Sequence, residues 1–387
     1  MRYIPYGRQS ISNDDIQAVV DILKSDWLTQ GPTIARFEKA ITEYCGVRYA
    51  TATCNATAAL HIACLALDLG EGDVLWTTPN TFVASANCAL YCGAEVDFVD
   101  IDLHTYNMSV EKLEEKLIVA EKKDELPKVI IPVHFAGQSC DMVKIKSLAD
   151  KYGFKIIEDA SHAIGGSYED KKIGSCQYSD ITVFSFHPVK IITTGEGGVV
   201  LTNQKDLHDK MQMLRTHGIT RNERLMKNVS QGQWYYEQIA LGVNYRMTDI
   251  QAALGISQLQ RLDKFVTRRR ELVIDYNNAL KDLPLQLPVQ NKNCNSAWHL
   301  YVICLRLEKI NQGRKQVFEK LRQANIGVNV HYIPLYLQPY YQKMGFAKNY
   351  CPNAEKYYAR AISLPLYAEL TQKEQEYVIA ELCEAIK

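Results

Sequence analysis

Residues 182–201 read TVFSFHPVKIITTGEGGVVL, and this segment predicts two strands joined by a glycine-rich return. Residues 182–186 have the composition of a buried strand, and the glycines that follow allow a tight turn into residues 199–201. Lys190 leaves the end of the first strand. Partial burial there would lower the pKa of its amine and free the amine as a nucleophile. The alternative is a surface lysine beside a glycine turn.

An acidic residue stands 31 positions before this lysine, in the run Glu158-Asp159-Ala160-Ser161-His162. Residues 154–157 predict a strand that ends just before it, so Asp159 would lie at the carboxyl edge of a sheet, where α/β proteins bind ligands. Pyridoxal phosphate needs an imine-forming lysine and a carboxylate that keeps its pyridine nitrogen protonated. Lys190 and Asp159 together therefore indicate a site for this cofactor.

Two strand-to-helix turns are further candidates for the same site. Residues 54–60 (CNATAAL) form a turn of small residues whose N–H groups, with the Thr57 hydroxyl, suit a phosphate. The alternative is plain N-capping by Asn55 or Thr57. Residues 79–85 (PNTFVAS) place Phe82 where it could stack on a flat ring, although an aromatic there also suits a core.

The remaining pattern predicts a mainly parallel sheet with helices on both faces, because strands and helices alternate. The predicted strands are 49–53, 74–77, 95–99, 129–132 and 154–157, and the predicted helices are 14–25, 33–44, 57–67, 83–91, 142–152 and 249–264. The last helix extends through the basic run 268–270, which we interpret as a solvated face. Residues 216–238 and 284–295 are predicted loops, and a strand covers 299–307. We expect a large domain at 1–259, whose segment 1–32 lines the active site, and a small α+β domain at 260–387.

Composition excludes several classes of protein. Lys plus Arg and Asp plus Glu number 44 each, so no excess positive charge indicates nucleic acid or a membrane surface. The amino terminus lacks the apolar region of a signal peptide, and no apolar run approaches the length of a membrane span. The eleven cysteines include no C-x-x-C pair, and Cys88 and Cys92 read as packing residues. We expect a cytoplasmic protein with reduced thiols.

Hydrolase and metal chemistry are disfavoured. Asp159, Ser161 and His162 are too close in sequence to aim at one reacting atom, and no G-x-S-x-G elbow is present. The nine histidines have no H-x-x-x-H or paired Cys/His spacing, so no metal site is predicted.

Five motifs in order resemble the DegT/DnrJ/EryC1/StrS family, the fold-type I sugar aminotransferases that use pyridoxal phosphate. They are 55–60 (NATAAL), 79–82 (PNTF), 158–162 (EDASH), 185–190 (SFHPVK) and 244–246 (NYR). Residues 4–11 and 25–32 look most like the pseudaminic acid branch, the UDP-4-amino-4,6-dideoxy-N-acetyl-β-L-altrosamine transaminases, which take the amino group from L-glutamate. The resemblance implies a seven-stranded sheet and a homodimer with shared active sites.

The resemblance also implies a role for individual residues. Lys190 would attach the cofactor and shuttle protons, and Asp159 would hold the pyridine nitrogen. Phe82 would cover the ring and His162 would approach the phenolic oxygen. Phosphate binding is implied for Ala56, Thr57 and Ser185, with Asn244 from the partner subunit. The substrate side is implied for Tyr6, Leu28, Thr29, His331 and Tyr332. Tyr336 departs from the family, since many relatives have histidine there, and Asn55 replaces a commoner glycine or serine.

Three other functions remain open. The chain could aminate another nucleotide-linked keto-sugar, with dTDP or GDP and at C3 or C4. The family's dehydrase-like branch carries histidine in place of the lysine, and Lys190 argues against it. A catalytically idle regulator that binds the cofactor would need a DNA-reading element, and no such motif is recognisable.

Overall fold

The computed structural model describes residues 2–387. Its helices are α1 (Asn13–Leu23), α2 (Pro32–Cys45), α3 (Ala56–Ala66), α4 (Ala84–Tyr91), α5 (Val110–Glu121), α6 (Met142–Tyr152), α7 (Lys205–Arg215), α8 (Asp249–Leu259), α9 (Leu262–Leu280), α10 (Arg314–Gln323), α11 (Pro339–Gln342), α12 (Pro352–Tyr358) and α13 (Gln372–Ala385). Its strands are β1 (Tyr49–Thr53), β2 (Val74–Thr77), β3 (Glu95–Phe98), β4 (Val129–Ile131), β5 (Lys155–Asp159), β6 (Ser167–Tyr168), β7 (Lys171–Lys172), β8 (Ile181–Ser185), β9 (Gly198–Thr202), β10 (Ile219–Thr220), β11 (Glu237–Gln238), β12 (Leu285–Gln286), β13 (Cys294–Asn295), β14 (Tyr301–Leu305) and β15 (Ala361–Leu364).

Seven of these strands form one twisted sheet in the order β1-β9-β8-β5-β4-β2-β3. All neighbours are parallel except β9, which runs antiparallel to both β1 and β8. β9 is the return strand of the glycine-rich segment, so its reversed direction follows from the short connection after β8. The predicted mainly parallel sheet is confirmed.

Both faces of the sheet are covered, as the continuous apolar character of the strands requires. Alternate residues face opposite ways: Leu75 and Ile157 pack with α3, α4 and α7, whereas Trp76 and Ile156 pack with α5 and α6. At the β1 end, Phe184 and Val199 pack against α2 and α8. A rigid two-sided core therefore holds the carboxyl ends of β1, β5 and β8 in place.

A second core lies in the C-terminal part of the chain, where α9, α10 and α13 cover the antiparallel sheet β12-β14-β15. We propose the domain division 1–259 and 260–387, and this separate core supports it. Among residues 2–387 no helix is long and apolar enough to cross a bilayer.

Two sequence expectations about the basic helix are wrong. The helix predicted over 249–264 breaks at Gln260 and Arg261, where Arg261 leaves helical geometry and its guanidinium reaches Asp15 and the Ser10 carbonyl. Arg269 is buried instead of solvated, and it donates to the carbonyls of Trp298, His299 and Leu366. Both errors come from contacts distant in sequence, which the local pattern does not contain.

Candidate active site

A cavity of about 730 Å³ opens at the carboxyl edge of the sheet. Most of the predicted site residues line it: Tyr6, Ala56, Thr57, Phe82, Asp159, His162, Ser185, Lys190, His331 and Tyr332. They come from the first residues of the chain, four turns of the large sheet and the segment after α10. Residues more than 300 positions apart therefore meet in one concave site.

Lys190 is the lysine that lines this cavity. Its side chain keeps some contact with solvent through the opening, but protein surrounds the amino group, and this burial lowers the pKa of Lys190 to about 8. The nearby charge of Asp159 acts in the opposite direction and raises that pKa by a smaller amount. At pH 7 about a tenth of the amine is then uncharged and free to attack an aldehyde, far more than for a lysine of ordinary pKa.

Asp159 ends β5 and presents its carboxylate to the cavity with both oxygens engaged. The Ser161 N–H donates to Oδ1 at 3.1 Å, and the Ser85 hydroxyl donates to Oδ2 at 2.6 Å. Asp159 is buried, and these two hydrogen bonds give its carboxylate a defined orientation. Such a group suits a ring nitrogen that has to stay protonated.

The amino end of α3 forms a phosphate-sized cradle. The Asn55 side chain caps the helix by accepting from the Ala58 N–H at 2.8 Å, while within residues 2–387 no acceptor faces the N–H groups of Ala56 and Thr57. A Cβ at Gly198 would come within 2.7 Å of the Asn55 and Ala56 backbone, so glycine is needed for β9 to lie against this turn. Capping and anion binding coexist here, because they use different N–H groups.

His162 is buried and neutral, since burial and the charge of Lys190 hold its pKa well below its usual value. The Ala136 N–H donates to its Nδ1 at 3.3 Å, so the ring proton lies on Nε2. Nε2 faces the Tyr332 hydroxyl at 3.3 Å. His162 therefore offers a donor on its cavity side and leaves no acceptor nitrogen for Ser161, which argues against the hydrolase reading.

Aromatic groups complete the walls. Phe82 is 60% exposed and lines the opening, as expected of a ring kept free to stack on a ligand. Tyr6 packs its ring 5.4 Å from that of His331, and burial lowers the pKa of His331 to about 3, so it is neutral. The His331 Nδ1 lies 2.7 Å from the Ser363 hydroxyl, which orients the imidazole.

Three predicted site residues lie outside the cavity of their own chain. Leu28 and Thr29 are exposed, and Thr29 pairs with Thr248 beside the start of α8. From α8, Gln251 reaches the carbonyl of the cavity residue Glu196 at 2.7 Å, so this segment lies near the rim. Asn244 is also exposed, and it pairs with Thr216.

Tyr336, the residue that differs from the family pattern, is also away from the cavity. It is buried against Phe98, and its hydroxyl donates to Glu355 at 2.7 Å. The substitution is therefore accommodated in a core, where it contacts neither Lys190 nor Asp159.

Three residues in or beside the cavity were given no role in the sequence analysis. Asn329 and Gln338 line the wall beside His331 and Tyr332, and the Asn80 side chain accepts from the Tyr332 N–H at 3.1 Å. Asn80 lay inside a motif already singled out, so its position before Phe82 was the available signal. Asn329 and Gln338 reach the cavity only through the packing of the C-terminal segment.

The residues present fit pyridoxal phosphate. A buried amine of lowered pKa, an oriented carboxylate, a ring-sized aromatic face and two unpaired N–H groups at a helix start lie around one cavity. Among residues 2–387 no cluster of metal-binding side chains is present.

The lowered pKa of Lys190 predicts that apo-protein captures pyridoxal phosphate faster as the pH rises. Below about pH 8 the amine is mostly protonated, and only the neutral form attacks. We expect the capture rate, followed by absorbance after rapid mixing, to rise about tenfold per unit below that pH and to level off above it. The rate at which Nα-acetyl-lysine reacts with pyridoxal phosphate, measured over the same pH range, corrects for titration of the aldehyde. A midpoint at the ordinary lysine value of 10.5 would contradict the assignment.

Comparisons with known proteins agree with this geometry. The family model described as the DegT/DnrJ/EryC1/StrS aminotransferase family matches residues 9–383. A Campylobacter jejuni UDP-4-amino-4,6-dideoxy-N-acetyl-beta-L-altrosamine transaminase is 40% identical over 376 residues, which cover 97% of this chain and 95% of that protein.

Two solved structures share the fold. Helicobacter pylori PseC, an aminotransferase of pseudaminic acid biosynthesis, superposes with a TM-score of 0.89 at 31% identity and covers 100% of this chain and 99% of its own. The PLP form of the putative sugar aminotransferase Spr1654 from Streptococcus pneumoniae has a TM-score of 0.88 at 28% identity, with 99% and 98% covered. The chain therefore belongs to the DegT/DnrJ/EryC1/StrS aminotransferase family and is an aminotransferase whose cofactor is pyridoxal phosphate.

Proposed function

We propose that this enzyme transfers the amino group of L-glutamate to C4 of a UDP-linked 4-keto-6-deoxy-N-acetylhexosamine, in the biosynthesis of pseudaminic acid for surface glycans. The observation that carries the proposal is the cavity that combines Lys190 and Asp159 with Tyr6 from the amino-terminal segment. That segment is the one that resembles the pseudaminic acid branch, and the Campylobacter relative matches over nearly its whole length.

Each cavity residue has a proposed task. Ala56, Thr57 and Ser185 bind the phosphate, Phe82 stacks on the ring, and His162 donates from Nε2 to the phenolic oxygen. Asp159 keeps the proton on the pyridine nitrogen. When bound, the cofactor takes up the amino group and accepts electrons from the adjacent carbon.

Lys190 has the central task in this scheme. Its amine would hold the cofactor covalently, would be displaced when the donor's amine takes its place, and would then move a proton between the donor's α-carbon and C4′ of the cofactor. The low pKa that burial gives this amine suits both steps, since it has to accept a proton and return it near neutral pH. The same groups act in reverse order on the keto-sugar.

Tyr6, His331 and Tyr332 form the proposed substrate side. Burial raises the pKa values of Tyr6 and Tyr332, so both hydroxyls stay protonated and can donate hydrogen bonds to a sugar or a carboxylate. Leu28 and Thr29 at the rim stay predicted contacts of the nucleotide-sugar. A cytoplasmic location also stays a prediction.

We further propose a homodimer with shared active sites. The segment before α8 exposes large apolar side chains, with Val229 89%, Trp234 73% and Leu241 88% exposed, and such groups favour burial against a partner. Asn244 follows this segment and is exposed. Asn244 of one subunit is therefore proposed to reach the phosphate held by the partner's α3.

Replacing Asn244 by alanine should weaken cofactor binding by about 1–3 kcal/mol, because a hydrogen bond to a charged phosphate is lost. The dissociation constant, measured from cofactor absorbance in an equilibrium titration, checks this. The fold should be unaffected, since Asn244 is exposed and its contacts are at the backbone. An unchanged dissociation constant would contradict the phosphate contact.

A mixed dimer tests whether the contact crosses the interface. One chain carries Lys190→Ala and the other Asn244→Ala, and the cofactor is kept below the dissociation constant of the second variant. If the contact is in trans, one site carries both defects and the other is intact, so about half the activity returns. If Asn244 serves its own chain, both sites stay defective.

The substrate proposal is tested by assaying the purified enzyme with glutamate and a panel of UDP-, dTDP- and GDP-linked keto-sugars. We expect 2-oxoglutarate and a 4-amino sugar from the UDP-linked 4-keto-6-deoxy-N-acetylhexosamine, identified by mass spectrometry and NMR. Turnover of a dTDP- or GDP-linked sugar alone would assign the enzyme to another branch. A cofactor spectrum that glutamate leaves unchanged would favour the idle regulator.

A further inference from the structure

Ser85 lies behind the wall of the active-site cavity, in the first turn of α4. It is fully buried and is not a cavity residue, yet its Oγ lies 2.6 Å from Oδ2 of Asp159. The hydroxyl of Thr81, also buried, lies 2.8 Å from the same Ser85 oxygen. Ser85 therefore links the Asp159 carboxylate to the hydroxyl of Thr81, a residue that itself lines the cavity.

The number of available protons determines the direction of the hydrogen bonds among Thr81, Ser85 and Asp159. An ionised carboxylate only accepts, so the single hydroxyl proton of Ser85 points to Asp159. Ser85 then has no proton for Thr81, and Thr81 has to be the donor in their contact. Thr81 therefore donates to Ser85 and Ser85 donates to Asp159, and the first hydrogen bond polarises the second.

The local structure of α4 shows that these hydroxyls have a use other than starting the helix. Val83 is the N-cap residue and provides no side-chain hydrogen bond to the first turn. Thr81 and Ser85 lie on either side of this position, and within residues 2–387 neither hydroxyl accepts from a backbone N–H of the first turn. The two hydroxyls bond each other and Asp159 instead, and the helix begins without a side-chain cap.

We propose that Ser85, supported by Thr81, is a positioning residue that fixes the carboxylate plane of Asp159, so that the carboxylate faces the cofactor's ring nitrogen and the shared proton stays on that nitrogen. The proposal rests on the role assigned to Asp159 above. A charge-assisted hydrogen bond of 2.6 Å is a strong one, and it restrains the rotation of the carboxylate.

Loss of this bond should change the cofactor's electronic state before it changes the fold. Without the Ser85 hydroxyl, the Asp159 carboxylate is free to rotate away from the ring nitrogen, so that nitrogen holds its proton less firmly and carries less positive charge. Other protons on the bound cofactor then become less acidic. The visible absorption of the bound cofactor should consequently titrate at a higher pH.

The test compares Ser85→Ala with wild type by absorbance titration of the bound cofactor, cofactor affinity and the rate of the half-reaction with glutamate. We expect the titration midpoint to move up by about half a pH unit or more and the half-reaction to slow by about tenfold, as for groups that orient a catalytic residue. Ser85→Thr keeps the hydroxyl and should restore both. Cys88→Ala is the matched control, because Cys88 is buried one turn away on α4 and donates to the Ser85 carbonyl.

An Asp159→Asn background decides whether Ser85 acts through Asp159. In that background Ser85→Ala should change neither the titration midpoint nor the half-reaction rate any further, because the effects of residues in one hydrogen-bond line are not additive. An unchanged titration midpoint in Ser85→Ala, or an equal loss in both backgrounds, would overturn the proposal.

Should Ser85→Ala fail to fold, Thr81→Val removes the second hydroxyl and is expected to shift the titration midpoint in the same direction by a smaller amount. An unshifted midpoint in Thr81→Val would overturn the proposal. None of these measurements needs a sugar, so a wrong sugar assignment leaves the result intact.

Discussion

Replacing Lys190 by alanine should lower turnover by several orders of magnitude, roughly 10⁴-fold or more, because covalent attachment and proton transfer are lost together. Lys190 is the cavity's lysine, and its amine has the lowered pKa that both tasks require. The variant should still bind the cofactor through α3 and Ser185, but the absorption of the lysine-bound form should be absent. Steady-state kinetics and the absorption spectrum measure the two effects.

Borohydride reduction followed by peptide mapping identifies the attached lysine. Wild type should be labelled at Lys190, and the alanine variant should not be labelled in the cavity. Lys172 is a suitable control, because it is a surface lysine whose amino group lies by Tyr44 and whose replacement leaves the cavity intact. Reducible labelling of another lysine in the Lys190→Ala variant, with activity retained, would refute the assignment.

Replacing Asp159 by asparagine should lower turnover at least about 100-fold, the lower range for a positioned proton. The amide keeps the size of the side chain and removes the charge that we propose keeps the pyridine nitrogen protonated. Cofactor affinity should fall less, since the phosphate contacts of Ala56 and Thr57 remain. Single-turnover kinetics with glutamate separate the chemical step from cofactor binding.

The matched control for this variant is Asp159→Glu, which keeps the charge but displaces it by one methylene. Activity between those of wild type and Asp159→Asn would indicate that charge and position both contribute. Near-normal turnover in Asp159→Asn would refute the proposed role of Asp159 in holding the ring nitrogen protonated.

Local patterns predicted the elements that carry the chemistry. The strand-to-helix turn at residues 54–60 and the glycine-rich return after Lys190 recur as predicted, and the strand predicted at 154–157 is observed at Lys155–Asp159, so that it includes Asp159. Helix α6 has the predicted bounds of 142–152. These succeed because apolar periodicity, N-caps and glycine turns act over a few residues.

Tertiary contacts decided what the local pattern could not. Arg269 carries the sequence signature of a solvated basic face, but it is buried because the carbonyls of Trp298 and Leu366 converge on it. Ser85 has the sequence signature of an ordinary first-turn serine, and only the tertiary fold, in which the first turn of α4 meets the end of β5, brings it to Asp159.

The sequence by itself determined the class of fold and the identity of the chemical groups, because strand-helix alternation and short motifs are properties of neighbouring residues. It also placed Lys190 and Asp159 at strand ends. Only the tertiary structure decided that Tyr6, Lys190 and His331 share one cavity, since those residues are far apart in the chain and meet through packing. It also decided the pKa of Lys190, which depends on how much protein surrounds the amine and not on the residues beside it in sequence.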